Sequence, residues 1–163
     1  MPPVAVFRFS PTEGPAYFAD WMDARALPWR LIALDDGAPV PADSSGFAGI
    51  GMMGGPMAVY DALPWVTPLS ALLRDAVARG VPVIGHCLGG QLLAQALGAR
   101  VARAPRPEIG WFDVDVDPSP SARAWFGGRS CRERRADRSQ ASLRSYSTLK
   151  LLGQPVSITL LSP

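Results

Sequence analysis

Gly85-His86-Cys87-Leu88-Gly89-Gly90-Gln91 sets one cysteine between a glycine two residues before it and another two residues after it. The apolar run Val81-Pro82-Val83-Ile84 precedes this stretch, and the helical-looking Leu92-Leu93-Ala94-Gln95-Ala96-Leu97 follows. A short β-branched run, a glycine, a cysteine and a second glycine are what a sharp strand-to-helix turn requires, because side chains at the flanking positions collide with neighbouring backbone. On such a turn Cys87 projects at a helix N-terminus, where backbone N–H groups and the helix dipole favour thiolate over thiol. Nucleophilic catalysis is the chemistry this arrangement serves. The competing reading is a buried structural cysteine, a common fate of the free thiol.

A cysteine nucleophile of this type normally works with a histidine, and His86 is the only histidine in the sequence. Adjacent residues on an extended segment point to opposite faces, so His86 reads as a packing residue rather than the partner of Cys87. Two cysteines, Cys87 and Cys131, and one histidine stand at no metal-ligand spacing, so neither a metal site nor a cofactor is expected.

Elements that would position the cysteine follow from the apolar pattern. Val4–Phe9 reads as a first strand, Ala16–Arg25 as a helix with Tyr17, Phe18, Trp21 and Met22 available for one apolar face, and Trp29–Leu34 as a second strand. Phe47–Met52 reads as a third strand running into the glycine-rich loop Met53-Gly54-Gly55-Pro56-Met57, which by itself is no more than a turn. Thr67 as N-cap and Pro68 at the first helical position predict a helix carrying Leu69, Leu72, Leu73, Ala76 and Val77, stopped by Gly80. Val81–Ile84 is the strand before the cysteine turn. Beyond Gly98, Ala99–Arg103 and Trp111–Val116 read as short strands. Strands alternating with helices argue for an α/β fold, a mostly parallel sheet covered on both faces. Functional groups then collect at the carboxyl ends of the strands, which puts the Gly54-Gly55 loop and Cys87 on one edge.

The 163 residues suit one domain, and 48% hydrophobic with 18% charged residues describes a globular chain. No apolar run approaches the roughly 18 residues of a membrane span, and the first residues lack the pattern of a secretory signal, so a cytoplasmic location is expected. The net charge of +2 conceals an asymmetry. Residues 1–121 carry 8 Arg against 12 Asp and Glu, whereas residues 122–163 carry 8 Arg and Lys against 2. This divides the chain into an α/β part, 1–121, and an Arg/Ser-rich tail, 122–163, whose stretch 127–150 reads as loop or disorder. Glu133 and Asp137 interrupt the basic run and no aromatic residue is interleaved before Tyr146, so a solvated face is expected there rather than nucleic-acid binding.

Three motifs in this order, Met53-Gly54-Gly55-Pro56-Met57, Gly85-x-Cys87-x-Gly89-x-Gln91 and Glu108-Ile109-Gly110-Trp111, resemble the class I (triad) glutamine amidotransferases. The likeness is nearest to stand-alone proteins related to the amidotransferase domain of GMP synthase and covers roughly residues 3–120. It implies a flavodoxin-like three-layer α/β sandwich and hydrolysis of the glutamine side-chain amide through a cysteine thioester. Cys87 is then the nucleophile, the backbone N–H groups of Gly55 and Leu88 form the oxyanion hole, Gln91 helps define the glutamine pocket, and the ammonia goes to an acceptor domain or subunit. The family's triad is completed by a His-x-Glu or His-x-Asp pair well beyond the cysteine. These 163 residues hold no such pair. Up to about Phe126 the chain reads like the family, and from about Gly127 it does not, as a shifted reading frame, a truncation or a replaced terminus would produce. Impaired catalysis is the expectation.

Two other readings compete. Gly85-x-Cys87-x-Gly89 also fits the nucleophile elbow of an α/β-hydrolase with a cysteine, which predicts neither the Met53–Met57 loop nor Gln91 nor Glu108. A non-catalytic remnant or binding module would keep the pocket without chemistry.

Overall fold

The computed structural model describes residues 1–102 and, as backbone, the strand segments 109–114, 131–136, 149–151 and 154–156. Strand β1 (Val4–Arg8) is followed by helix α1 (Ala16–Asp23), β2 (Trp29–Ala33), a 3₁₀ turn (Leu34–Asp36), β3 (Gly49–Met52), α2 (Val66–Ala78), β4 (Val83–Gly85) and α3 (Leu88–Ala96). The four strands form one parallel sheet in the order β2-β1-β3-β4. Val6 of β1 pairs with Leu31 of β2 on one side and Gly51 of β3 on the other, and Gly51 pairs with Ile84 of β4.

Alternation along β1 divides the core into two layers, because successive side chains leave opposite faces of a strand. Ala5 and Phe7 join Ile50 and Met52 of β3 beneath Leu69, Leu72, Leu73 and Ala76 of α2 and Leu88, Leu92 and Leu93 of α3. Val4 and Val6 face the other way, with Met22 and Phe18 of α1 and Met53. Helices therefore cover both faces, as the alternating pattern predicts. Burying one such leucine or isoleucine contributes about 1.5–3 kcal/mol, which makes this double layer the main stabilising term. Arg8, at the end of β1, is held by Asp35 of the 3₁₀ turn through Nε at 3.1 Å and Nη2 at 3.0 Å, fixing the exit of β2 beside that of β1.

Several expectations are corrected. Helix α2 begins at Val66 behind Trp65, so Thr67 and Pro68 lie inside its first turn and Thr67 caps nothing. Pro68 is tolerated there because the first N–H groups of a helix have no intrahelical acceptor. Ala99–Ala102 form no strand. The predicted strand at Trp111–Val116 is β5 (Ile109–Val114), which pairs antiparallel with β6 (Cys131–Ala136). Part of the stretch read as loop or disorder is thus a strand, since ladder hydrogen bonds are made by backbone and need no apolar side chains. Strands β7 (Leu149–Leu151) and β8 (Gln154–Val156) form a second antiparallel pair, with Pro155 opposite Lys150. The boundary at residues 121 and 122 lies outside the described residues. No helix among the described residues is long and apolar enough to cross a membrane.

Candidate active site

Three loops leave the carboxyl ends of adjacent strands at one place: Ser10–Pro15 after β1, Met53–Met57 after β3, and the turn at Cys87 between β4 and α3. Cys87 has φ 47° and ψ −112°, outside the regions an L residue ordinarily adopts. Such a conformation costs on the order of 1–3 kcal/mol and persists only where its surroundings enforce it. Here they do. The His86 N–H donates to the Met52 carbonyl at 2.9 Å, the Gly89 N–H to the His86 carbonyl at 2.7 Å and the Met53 carbonyl at 3.2 Å, and the Gln91 N–H to the Cys87 carbonyl at 3.1 Å.

The two glycines flanking the cysteine are dictated by close approach. A Cβ on Gly85 would lie 2.5 Å from the Gly89 carbonyl carbon, and one on Gly89 would lie 2.6 Å from Met52 Cβ and 2.7 Å from its carbonyl oxygen. All of these contacts are with backbone or with a side chain's first atom, which cannot swing away. The turn and the end of β3 are consequently fused, and the glycine-rich loop leaving β3 is delivered to the cysteine. A Cβ on Gly54 would stand 3.6 Å from Cys87 Cβ, and one on Gly55 2.9 Å from Leu88 Cδ2. The expectation that both loops occupy one edge is met by contact.

Leu88 opens α3, so the positive end of that helix dipole lies at Cys87 and favours negative charge there. Among the described residues the Leu88 N–H has no acceptor. Gln91 is buried on the first turn of α3. Phe9 and Trp65 pack with ring centroids 4.9 Å apart, and Phe9 Cβ borders Gly55, giving the loop an apolar back wall. His86 is half-buried, and desolvation pushes its imidazole below the ordinary 6.5, keeping it neutral at pH 7. Glu108 lies outside the described residues, and Ile109, Gly110 and Trp111 run in β5. Among the described residues no group of three His, Cys, Asp or Glu side chains is placed to hold a metal ion.

Sequence reading passed over Glu13. Its carboxylate packs against Gly54 on the side where a Cβ would point, the same side that faces Cys87 Cβ. Partial burial raises its pKa above the ordinary 4.5. The available signal was positional: Ser10-Pro11-Thr12-Glu13-Gly14 follows β1, an interior strand, and the carboxyl-edge rule applies to it as to β3 and β4.

The fold is shared with known proteins. The family model of glutamine amidotransferase class-I matches residues 30–139. Over 67 residues the chain is 39% identical to the GMP synthase [glutamine-hydrolyzing] of Aromatoleum aromaticum, a match covering 41% of this chain and 12% of that protein. It is 29% identical over 111 residues to the putative glutamine amidotransferase-like protein YfeJ of Salmonella typhimurium, covering 64% of this chain and 46% of the relative. The crystal structure of a glutamine amido transferase from Methylobacillus flagellatus superposes with a TM-score of 0.82 at 42% identity, covering 87% of this chain and 57% of that one. A glutamine amidotransferase structure from Thermotoga maritima, TM-score 0.74 at 22% identity, shares the fold. In each case the matched part of the relative is less than two thirds of its length.

Proposed function

The chain belongs to the class-I glutamine amidotransferases, and from that membership we propose that Cys87 is a nucleophile directed at the side-chain amide carbon of glutamine. A glutamine amidotransferase-like function is common ground for its relatives; the assignment of roles to individual residues is our reading. The Cys87 sulfur forms a bond to the amide carbon, the carbon–nitrogen bond breaks, and the nitrogen leaves as ammonia after taking a proton. Water then attacks the glutamyl thioester, the carbon–sulfur bond breaks, and glutamate departs. The oxyanion of each tetrahedral intermediate is held by the backbone N–H groups of Gly55 and Leu88, and losing one such donor typically costs about 10²–10³ in rate. Gln91 lines the pocket for the glutamine side chain. The observation that carries this reading is the strained backbone of Cys87, locked against the end of β3 with the Gly54-Gly55 loop at its side.

Ammonia from this site goes to an acceptor domain or subunit. The relatives named GMP synthase are described as glutamine-hydrolyzing, and the matched region is 12% of the length of the one from Aromatoleum aromaticum.

The single histidine favours a second reading, a module that binds glutamine with little turnover. His86 precedes the turn, is half-buried and is held neutral, and a positioned general acid or base typically contributes about 10²–10⁴-fold. A protein consisting of these residues alone is expected to hydrolyse glutamine slower than a full-length relative by about that factor. Measuring ammonia release beside covalent labelling of Cys87 by a glutamine-mimicking electrophile separates the readings. Labelling with slow, Cys87-dependent turnover supports a weakened enzyme; labelling with none supports the binding module. Turnover equal to that of a full-length relative overturns the claim of impairment, and failure to label Cys87 overturns the glutamine site.

A further inference from the structure

Glu13 places a partly buried carboxylate at the edge of this site, and burial raises its pKa. Among the described residues no hydrogen-bond donor or cation meets its carboxylate, in a chain where the carboxylates of Asp35, Asp43, Asp61 and Asp75 all have donors. Its backbone is pinned, since the Glu13 N–H donates to the Ser10 carbonyl at 3.1 Å and the Ser10 and Thr12 hydroxyls share a hydrogen bond at 3.0 Å. The turn after β1 therefore holds the residue at the site, and the side chain extends to Gly54, the glycine that also borders Cys87. Desolvating a carboxylate without a partner is unfavourable. A ligand bringing a cation to this spot would relieve that cost.

Glutamine brings one. A short aliphatic stem separates its side-chain amide carbon from its α-ammonium group, so an amide seated at Cys87 carries that cation to the rim of the same pocket. We propose that Glu13 receives the α-ammonium group of the substrate and so selects amides bearing a free α-amino group. This rests on the glutamine reading of Cys87. Glu13 takes no part in bond making; it determines specificity by a charge-assisted hydrogen bond, the strong kind in a site partly screened from water.

The test compares three reagents for Cys87. The first is the chloromethyl ketone in which –CO–CH₂Cl replaces the side-chain amide of L-glutamine. The second is the same ketone with hydrogen in place of the α-amino group, and the third is iodoacetamide. With each ketone the Cys87 sulfur bonds to the CH₂ carbon as chloride leaves. The unsubstituted protein should be labelled by the amino ketone about 10–100-fold faster than by the des-amino ketone, the factor expected for one hydrogen bond to a charged group. Glu13→Gln should abolish that preference, the amino ketone losing its advantage over the des-amino ketone when both rates are taken relative to iodoacetamide, with the melting temperature no lower, and Glu13→Asp should keep part of it. Equal rates for the two ketones overturn the proposal while leaving the glutamine site standing. The proposal also falls, and the glutamine site again survives, if Glu13→Gln keeps the preference or slows all three reagents alike, because the residue would then act on the cysteine or the fold. No labelling of Cys87 by either ketone overturns the glutamine reading and this proposal with it.

Discussion

Asp75 and Glu13 are carboxylates of one small domain in opposite circumstances. Asp75, on α2, accepts from the Ser44 N–H at 2.9 Å, the Ser44 hydroxyl at 2.7 Å and Arg79 Nε at 2.8 Å, and these donors bring its pKa down to about 2. Glu13 meets no donor among the described residues, and burial pushes its pKa up. Asp75 is committed to the fold: it ties the loop before β3 to α2 through Ser44, which is fully buried. Glu13 stabilises nothing comparable and stands beside a strained cysteine. A charge answered by its own protein is structural, and one kept partly dry and unanswered at a carboxyl edge is available to a ligand.

The sharpest way to break this contrast is to remove what gives Glu13 its setting. Gly89→Ala forces a Cβ into the backbone and Cβ of Met52, and is expected to cost about 3 kcal/mol and to abolish selective labelling of Cys87 by the amino ketone. A variant with unchanged denaturant midpoint and labelling would show that the turn is not fused to β3. Asp75→Asn comes next. Because the folded pKa of Asp75 lies below its ordinary 3.8, its contribution is fully present above that value and is lost as pH falls towards about 2. Asp75→Asn should therefore lower the melting temperature by about a few degrees at pH 7, flatten the decline in stability between those two pH values, and leave ketone labelling unchanged. Equal acid sensitivity in both proteins would count against the assignment. Smallest is Gly54→Ala. Its methyl meets the far end of the Glu13 side chain, which can swing aside, while Cys87 Cβ stays at ordinary contact distance. Near-normal stability with a reduced preference for the amino ketone is expected, and an undiminished preference would place the Glu13 carboxylate elsewhere in solution.

How far the sequence could be read depended on what enforces each feature. Glycines at 85 and 89 are forced by backbone contact, so the turn was legible before any coordinates, as was Gly80 at the end of α2, where φ is +72°. The strands of the parallel sheet were legible because their apolar residues pack against helices. The start of α2 was misplaced by two residues because Thr67 is a good cap in isolation, whereas the chain enters the helix through Leu63 and Trp65, whose carbonyls accept from Val66 and Leu69. Strand β6, with Arg132, Glu133, Arg134 and Arg135 at its centre, carries no apolar signal and was invisible to a reading by composition.

By itself the sequence carried the motifs that resemble the family, and it determined the parallel α/β architecture and the tight turn bearing Cys87, since these last two are written in apolar periodicity and steric necessity, both local properties of the chain. Only tertiary structure decided that the loop after β1 reaches the same point as the loops after β3 and β4. Placing β1 between β2 and β3 brings Glu13, 74 residues before Cys87 in the chain, to the glycine beside it. A long polar side chain leaves no periodicity and excludes no neighbour, so its role emerges only when the sheet has set its surroundings.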